Sequence, residues 1–287
     1  MCGIVGYLSS GVSASEHTVL GMARRLAHRG PDAAGAWVDA PAGIAMGHRR
    51  LSIVDVSETG AQPMVSSNGR MVLVYNGEIY NHRALRAEVD GAGWNAGWRG
   101  HSDTETLLAA LQVWGISKTL PKLNGMFAFA LWDRETRTLC LARDRIGEKP
   151  LYYGTVGGSF VFASELKAIA AFPNWRGEVD RDVLALYLRY AYVPDPFCIW
   201  RGISRLPPAH WVEIQSGRAG EPVAYWDFSS VVVTPKQAVA PQPRLDRSMN
   251  ELHHRLQAAV GMRMDADVPL GAFLSGGIDS SLIVALM

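Results

Sequence analysis

A cysteine at position 2 stands at the start of an apolar, β-prone segment that runs through residues 2–8. A segment of this kind predicts a buried strand, so the thiol is tied to the first strand of the core. Removal of Met1 would leave this thiol and a free α-amine on one residue. The ordinary pKa of an α-amine is about 7.7–8.0, so much of it is neutral near physiological pH and can act as a base. Cys2 therefore has the chemistry of a nucleophile that carries its own base.

The bulk composition predicts a globular protein and excludes several classes. The sequence is 48% hydrophobic and 19% charged with a formal net charge of +1, which gives no electrostatic footprint for nucleic acid. No apolar run approaches the roughly 20 residues that cross a bilayer, and the N-terminus lacks the features of a signal peptide. Three widely spaced cysteines, Cys2, Cys140 and Cys198, argue against a disulfide framework. We therefore expect a cytoplasmic protein without a nucleic-acid or membrane partner.

Local patterns predict alternating helices and strands through the first 228 residues. Residues 71–75 form an apolar strand, and the dipeptide Asn76-Gly77 after it is a strong turn signal. Residues 102–105 have the pattern of a capping box and open an apolar helix. A β-rich stretch follows from 126 to 163, and Asp180 is placed to cap another helix.

The organisation of the sequence changes after Phe228. Residues 229–245 are proline-rich and aperiodic, which is typical of a linker. An amphipathic helix is predicted next, and residues 268–274 then have the pattern of a buried strand. We predict a first domain over residues 2–228 and a second domain that begins at residue 246 and is incomplete at residue 287.

Four further motifs follow Cys2 in a fixed order. They are Arg29-Gly30-Pro31-Asp32, a segment at 47–55, a segment at 75–81 and His101-Ser102-Asp103. In this order and spelling, the chain resembles the class II glutamine amidotransferases, and within them the asparagine synthetase (glutamine-hydrolysing) family. The resemblance implies an α+β fold, the four-layer αββα sandwich of the N-terminal-nucleophile hydrolases.

The resemblance also implies a role for each motif. Cys2 would attack the side-chain amide of glutamine, form a glutamyl thioester and release ammonia. Asn76 and Gly77 match the oxyanion hole, a task suited to an amide donor and an exposed backbone N–H. In the same way, Arg50 would bind the α-carboxylate of glutamine, and Asp103 and Glu78 would bind its α-ammonium group. The pocket wall would be formed by Leu51, Ser52, Ile53 and Val54.

Two adjacent arginines compete for the carboxylate-binding role. Arg49 and Arg50 are predicted strand residues and therefore point to opposite faces, so only one of them can reach the pocket. The family register selects Arg50, and Arg49 is interpreted as a solvated surface charge. The segment 143–153 is likewise interpreted as a salt-bridged turn that closes a hairpin.

A glycine-rich loop follows the predicted strand at 268–274. A strand, a glycine-rich turn and a helix together present backbone N–H groups to phosphate. The loop resembles the pyrophosphate loop of ATP pyrophosphatases. The resemblance implies that this part of the chain is the first strand and loop of a truncated α/β domain. The implied ATP-binding residues are Leu274, Ser275, Gly276, Gly277, Asp279 and Ser280. Asp279 is the candidate Mg²⁺ ligand. The alternative interpretation is that Asp279 is an ordinary acidic residue in the first turn of a helix.

The resemblance implies glutamine-dependent synthesis of asparagine, with ATP and Mg²⁺ required by the synthetase half and glutaminase activity alone expected from this stretch of sequence. The implied partners are small molecules: glutamine, ATP and aspartate or another carboxylate. A related enzyme that amidates a sugar carboxylate for surface polysaccharide and a non-catalytic glutamine-binding fragment remain alternatives. Homodimer formation is left open.

Overall fold

The computed structural model describes residues 1–9, 13–231 and 245–287. The chain divides into two compact units, Met1–Trp226 and Asp227–Met287. Most of the predicted linker, residues 232–244, lies outside the described residues.

The elements of the first unit alternate between strands and helices, as the patterns predicted. Its strands are β1 (Gly3–Leu8), β2 (Ala33–Asp39), β3 (Ile44–Arg50), β4 (Met64–Val65), β5 (Met71–Ile79), β6 (Gly125–Asp133), β7 (Thr138–Arg143), β8 (Tyr152–Val156), β9 (Ser159–Ala163), β10 (Ile203–Arg205), β11 (His210–Gln215), β12 (Arg218–Ala219) and β13 (Val223–Ala224). Its helices are α1 (Glu16–Arg24), α2 (His82–Gly91), α3 (Asp103–Trp114), α4 (Ile116–Thr119), α5 (Leu166–Ile169) and α6 (Arg181–Tyr190), with short 3-10 turns at Glu58–Gly60 and Leu120–Lys122. The second unit contributes a 3-10 turn at Phe228–Val231, α7 (Leu245–Met262) and α8 (Ile278–Leu286).

The strands form two antiparallel sheets. The first sheet has the order β10-β8-β9-β1-β3-β2, which places the N-terminal strand β1 in its interior. The second sheet has the order β12-β11-β7-β6-β5-β4, with β13 also paired to β11. Only two residues of β4 cover β5, so most of the outer edge of β5 carries no strand partner among the residues that the structure describes.

Three buried clusters show that these sheets form the inner layers of a four-layer sandwich. One cluster lies between the sheets and contains Ile4 from β1 and Val74 from β5. A second packs the outer face of the first sheet, including Val5, against α1 and α5. The third packs the outer face of the second sheet, including Tyr75, against α2 and α3. The predicted αββα architecture is therefore confirmed.

Helix caps follow the sequence signals closely. The side chain of Ser102 accepts a hydrogen bond of 3.2 Å from the backbone N–H of Glu105, which is the first half of the predicted capping box. The carboxylate of Glu105 instead accepts from the N–H groups of Arg99 and Gly100, at 2.8 and 3.0 Å. Asp180 caps α6 as predicted, through the N–H groups of the first turn.

The turn predicted at Asn76-Gly77 is wrong. Strand β5 runs through both residues to Ile79 and pairs with β6 along its whole length. Tertiary pairing overrides the local turn preference here, because β6 is long enough to continue the ladder beyond Tyr75.

The strand predicted at residues 268–274 is also wrong. The structure has no strand there, and the side chain of Phe273 is fully exposed. A strand of a parallel sheet needs neighbours on both sides, and none of the described segments pairs with these residues. Leu274, Ile278 and Leu282 are exposed as well, at 61%, 87% and 45%.

Candidate active site

One end of the inter-sheet layer opens into a cavity of about 200 Å³. Side chains alternate across a strand with a period of two residues, so Cys2 continues the face of Ile4 and Asn76 continues the face of Val74. The same period carries Arg50 onto the face of Met46. The cavity is thus the end of the core where functional groups replace apolar ones. Its lining includes Met1, Cys2, Arg50, Leu51, Ile53, Val54, Gln62, Tyr75, Asn76, Gly77, Glu78, Asp103 and Lys149.

The thiol of Cys2 sits against the loop that follows β3. The N–H of Leu51 donates to Sγ at 3.4 Å, and Sγ lies 3.6 Å from the carbonyl oxygen of the same residue. Burial raises the pKa of the Cys2 thiol. The thiol is therefore protonated at neutral pH, and a base must remove its proton before it can act as a nucleophile.

The N-terminal amine occupies the same cavity. Burial lowers the pKa of the Met1 amino group, and the positive charges of Arg29 and Lys149 lower it further. Both effects favour the neutral, proton-accepting form of an amine at this position.

His48, by contrast, is a structural residue. It is fully buried, and its Nε2 lies 3.0 Å from the carbonyl oxygen of Tyr75. Burial lowers the pKa of His48 to about 4.

The backbone N–H of Gly77 lies on the uncovered edge of β5. In an antiparallel ladder the backbone groups of alternate residues point to opposite edges. The N–H of Tyr75 donates to Oε1 of Gln62 at 2.6 Å and that of Ile79 donates to Asp103 at 2.9 Å, both away from β6. The N–H of Gly77 falls between them and is directed toward the cavity. A side chain at Gly77 would collide with the backbone of β6, so this position admits only glycine.

Asn76 supplies a second donor to the cavity. Its side chain is 1% exposed, and its Nδ2 has no hydrogen-bond partner among the described residues. A buried donor without a partner is costly, which points to an acceptor that is present only when a ligand is bound.

Asp103 lies at the first turn of α3 and reaches the cavity from the second sheet's outer layer. Its Oδ2 accepts hydrogen bonds from the hydroxyl of Tyr75 at 2.7 Å and from the N–H of Ile79. Burial raises the pKa of Asp103 despite these two donors. The carboxylate is therefore fixed in position and poised to receive a cation.

The side chains of Arg50 and Arg49 point to opposite faces of the sheet, as those of adjacent strand residues do. The guanidinium of Arg50 is buried and donates to the carbonyl oxygens of Ser57, at 2.9 Å, and Asp55. The Nε of Arg49 donates to the carbonyl oxygen of Gly30 at 2.9 Å on the other face. Arg49 is thus half-buried and bonded, and its interpretation as a solvated charge is wrong.

The loop after β3 is held in place by the motif that ends at Asp32. The N–H of Ser52 donates to Oδ2 of Asp32 at 2.8 Å. Leu51, Ile53 and Val54 line the cavity, whereas Ser52 does not.

Comparison with known proteins gives a consistent result. Residues 1–226 match the family model described as a glutamine amidotransferase domain, and residues 251–287 match the one described as asparagine synthase. The chain belongs to the glutamine amidotransferase family.

Curated relatives of this amidotransferase chain are longer proteins. Asparagine synthetase [glutamine-hydrolyzing] 1 of Bacillus subtilis (strain 168) is 35% identical over 290 residues, which cover 100% of this chain and 44% of the relative. A putative asparagine synthetase [glutamine-hydrolyzing] of Mycobacterium bovis is 36% identical over 303 residues, covering 100% and 45%. The chain therefore spans less than half the length of these relatives.

A solved structure supports the fold of the amidotransferase unit. The glutamine phosphoribosylpyrophosphate amidotransferase of Bacillus subtilis aligns with a TM-score of 0.56 at 20% identity, covering 78% of this chain and 49% of that one. The first unit thus has the fold of the N-terminal-nucleophile hydrolases. No helix in the described ranges has the length and apolarity needed to cross a bilayer.

Three charged residues of the amidotransferase unit were assigned no role from the sequence, although one of them, Arg29, belongs to a recognised motif. Lys149 is 5% exposed and lines the cavity. The interpretation of segment 143–153 as a turn that closes a hairpin is wrong, because β7 and β8 lie in different sheets. The backbone N–H of Lys149 donates to Asp144 at 3.0 Å and its carbonyl accepts from Arg143 at 2.8 Å. Arg29 bonds both to the backbone of Cys2 and to Glu165, which is 136 residues further along the sequence. No local pattern revealed that these charges are buried.

The glycine-rich loop of the second unit begins α8 without a preceding strand. Gly276 has a positive φ of 82°, a conformation that glycine adopts at little cost. The hydroxyls of Ser275 and Ser280 lie 2.9 Å apart, and Gly277 is the first residue before the helix. The assignment of this loop to phosphate stays a prediction. Among the described residues no group of three His, Cys, Asp or Glu side chains could hold a metal ion.

Proposed function

We propose that the chain hydrolyses the side-chain amide of glutamine, with Cys2 as the nucleophile. The observation that carries the proposal is the convergence on one cavity of a thiol, an unpartnered amide donor at Asn76 and the edge N–H of Gly77. Arg50 and Asp103 add a cation and an anion to the same cavity. This set matches the α-carboxylate, the α-ammonium and the reacting carboxamide of an amino-acid amide.

The chemistry follows from these positions. With Met1 removed, the α-amine of Cys2 accepts the thiol proton, and Sγ attacks the amide carbon of glutamine. Asn76 Nδ2 and Gly77 N–H stabilise the negative charge on the carbonyl oxygen in the tetrahedral intermediate. The carbon–nitrogen bond then breaks, ammonia leaves with the transferred proton, and a γ-glutamyl thioester remains. Water hydrolyses this thioester to glutamate and restores the thiol.

We further propose that the ammonia serves an ATP-dependent amidation of aspartate. The proposal is supported by the match of residues 251–287 and by the names of the longer relatives. The backbone of Leu274, Ser275, Gly276 and Gly277, together with Ser280, would hold the phosphates, and Asp279 is the candidate contact for Mg²⁺. ATP would activate the acceptor carboxylate, and the partners would be small molecules. Three free thiols among the described residues favour a reducing, cytoplasmic setting.

The test is release of glutamate from glutamine by the purified chain with Met1 removed, confirmed by mass spectrometry. Cys2→Ala should abolish the activity while leaving the melting temperature unchanged. A chain that retains Met1 should also be inactive, because its residue-2 nitrogen is an amide. Equal activity with and without Met1 would overturn the role of the amine as base. Glutamine binding without glutamate release would instead favour a non-catalytic glutamine-binding protein.

A further inference from the structure

Cys2 lies just outside the strand that follows it. The pairing of β1 with β3 begins at Gly3, opposite Arg49. Terminal residues fray unless they are tied down, and after removal of Met1 a single peptide bond would connect Cys2 to the strand. The placement of the nucleophile therefore depends on hydrogen bonds made to Cys2 itself.

Arg29 provides such a bond to the backbone of the nucleophile. Its Nε donates to the carbonyl oxygen of Cys2 at 2.8 Å. The Arg29 side chain is only 7% exposed. A buried guanidinium of this kind needs a carboxylate partner to remain in one orientation. Glu165 is that partner, with Oε1 at 2.9 Å from the guanidinium.

Glu165 is itself anchored to the strand that bears the nucleophile. The preceding residue, Ser164, accepts a hydrogen bond from the N–H of Ile4 at 3.0 Å through its hydroxyl. The N–H of Ser164 donates to the carbonyl oxygen of Ile4 at 2.9 Å. Both ends of the connection from Glu165 through Arg29 to Cys2 are therefore attached to the same stretch of β1.

We propose that Glu165 is a positioning residue for the glutaminase reaction, which acts by holding Arg29 against the carbonyl of Cys2. The inference rests on the proposed function and names a residue outside the cavity lining. It predicts that loss of the carboxylate displaces the nucleophile without altering the groups that bind glutamine. A displacement of about 1 Å is enough to slow an enzyme by up to two orders of magnitude.

The other two partners of Glu165 lie at the periphery of this connection. His28 approaches Oε1 at 3.1 Å and Lys167 approaches Oε2 at 3.0 Å, with side chains that are 51% and 52% exposed. Such exposed pairs contribute little. His28 and Lys167 bond to Glu165 and to each other, whereas Arg29 bonds to both Glu165 and Cys2, so Arg29 is the route by which Glu165 reaches the nucleophile.

The experiment compares variants of the full chain, with Met1 removed, in the glutaminase assay. Glu165→Ala should lower kcat about tenfold or more with KM for glutamine changed less than about threefold. Glu165→Gln retains an oxygen that can accept from Arg29 and should recover most of the lost kcat. The rate of Cys2 alkylation by iodoacetamide, measured without glutamine, should fall in Glu165→Ala as kcat does.

A double-mutant cycle tests the route through Arg29. Once Arg29→Met has removed the intermediate group, adding Glu165→Ala should change kcat less than about twofold further. A full additional loss would overturn the inference. Glu178→Gln is the matched control, because Glu178 forms a 2.7 Å surface pair with Arg201, and it should behave like the wild type.

The outcomes separate the two proposals. An active wild type whose kcat is unchanged in Glu165→Ala contradicts the positioning role and leaves the glutaminase proposal intact. A wild type without glutaminase activity contradicts the proposed function, and the alkylation rates then still decide whether Glu165 positions the thiol. If Glu165→Ala does not fold, Glu165→Asp replaces it, because this substitution withdraws the carboxylate by one methylene. It should show the same loss of kcat at unchanged KM. A kcat equal to that of the wild type would count against the inference.

Discussion

The hydroxyl of Tyr75 donates a 2.7 Å hydrogen bond to the carboxylate of Asp103, and both groups are buried at the cavity. Tyr75 belongs to β5 and Asp103 to the first turn of α3, so the bond joins the second sheet to its covering helix. Burial raises the pKa of Asp103, whereas a hydrogen bond to the ionised carboxylate works in the opposite direction. Tyr75 therefore helps keep Asp103 ionised and able to bind an ammonium group.

Replacing Tyr75 by Phe should make glutamine binding more sensitive to acid. The ionised Asp103 loses one donor, so its pKa rises further and protonation begins at a higher pH. We expect KM for glutamine to rise with falling pH in both proteins, and to do so at a higher pH in Tyr75→Phe. The measurement is KM as a function of pH. Coincident profiles would show that the hydroxyl does not control this carboxylate.

Arg50→Ala should damage glutamine use far more than Arg49→Ala. Truncation of one partner of a buried ion contact costs about 2–5 kcal/mol, which corresponds to roughly 30-fold or more in kcat/KM. Arg49 contacts only the carbonyl of Gly30 on the opposite face, so its loss should affect the melting temperature more than the kinetics. Steady-state kinetics on the two variants provide the comparison. A larger kinetic defect in Arg49→Ala would mean that the wrong arginine has been assigned to the carboxylate.

Lys149→Met should shift the acid limb of kcat/KM to higher pH. The positive charges of Lys149 and Arg29 lower the pKa of the Met1 amine, and the nearby carboxylate of Glu78 raises it. We expect these charges to act in the same way on the Cys2 amine that removal of Met1 exposes. Removal of the Lys149 charge therefore raises the pKa of the amine, which then stays protonated to a higher pH and cannot act as a base. The pH–rate profile measures the shift, and Lys118→Met, at an exposed position on α4, is the control. An unshifted acid limb would exclude Lys149 from control of the amine.

The contribution of Glu165 to stability should depend on pH. Hydrogen bonds from Arg29 and from its other cationic partners lower the pKa of Glu165 from 4.5 to about 2. A depressed folded-state pKa stabilises the protein above the unfolded-state value, and this contribution is lost as the pH falls through the folded-state value. The free energy of unfolding of Glu165→Gln should thus be lower than that of the wild type above about pH 5, by roughly 3 kcal/mol at most. The difference should shrink toward pH 2. Denaturant titrations at several pH values test this, and a gap independent of pH would refute the linkage.

Local signals predicted the parts of the fold in which neighbouring residues decide the conformation. Ser102 and Asp180 are examples, because a capping side chain bonds backbone groups within one turn. The β6–β7 hairpin lies within the β-rich stretch predicted at 126–163, and a short polar turn separates its two strands. The Asn76-Gly77 prediction failed because its conformation depends on β6, a strand about 50 residues further along the chain.

The candidate site shows the same division. Cys2 and Asn76 could be assigned because they belong to recognisable motifs. Glu165 could not be assigned, because its partner Arg29 is distant in sequence. Neither residue belongs to a helical or strand periodicity that would predict its burial. Lys149 belongs to the segment interpreted as a salt-bridged turn, whereas in the structure its backbone bonds to Arg143 and Asp144 and its side chain is buried.

The uncovered edge of β5 has a consequence for amide hydrogen exchange. The N–H groups of Tyr75 and Ile79 are bonded to buried side chains and should be released to solvent deuterons only when the sandwich opens. The N–H of Gly77 lies between them with its face to the cavity, so it should exchange far faster than its neighbours two residues away. A single rapidly labelled amide in the middle of a slowly labelled strand would thus mark the oxyanion donor in the empty protein. A covalent glutamine analogue bound to Cys2 should slow that one amide more than any other in β5.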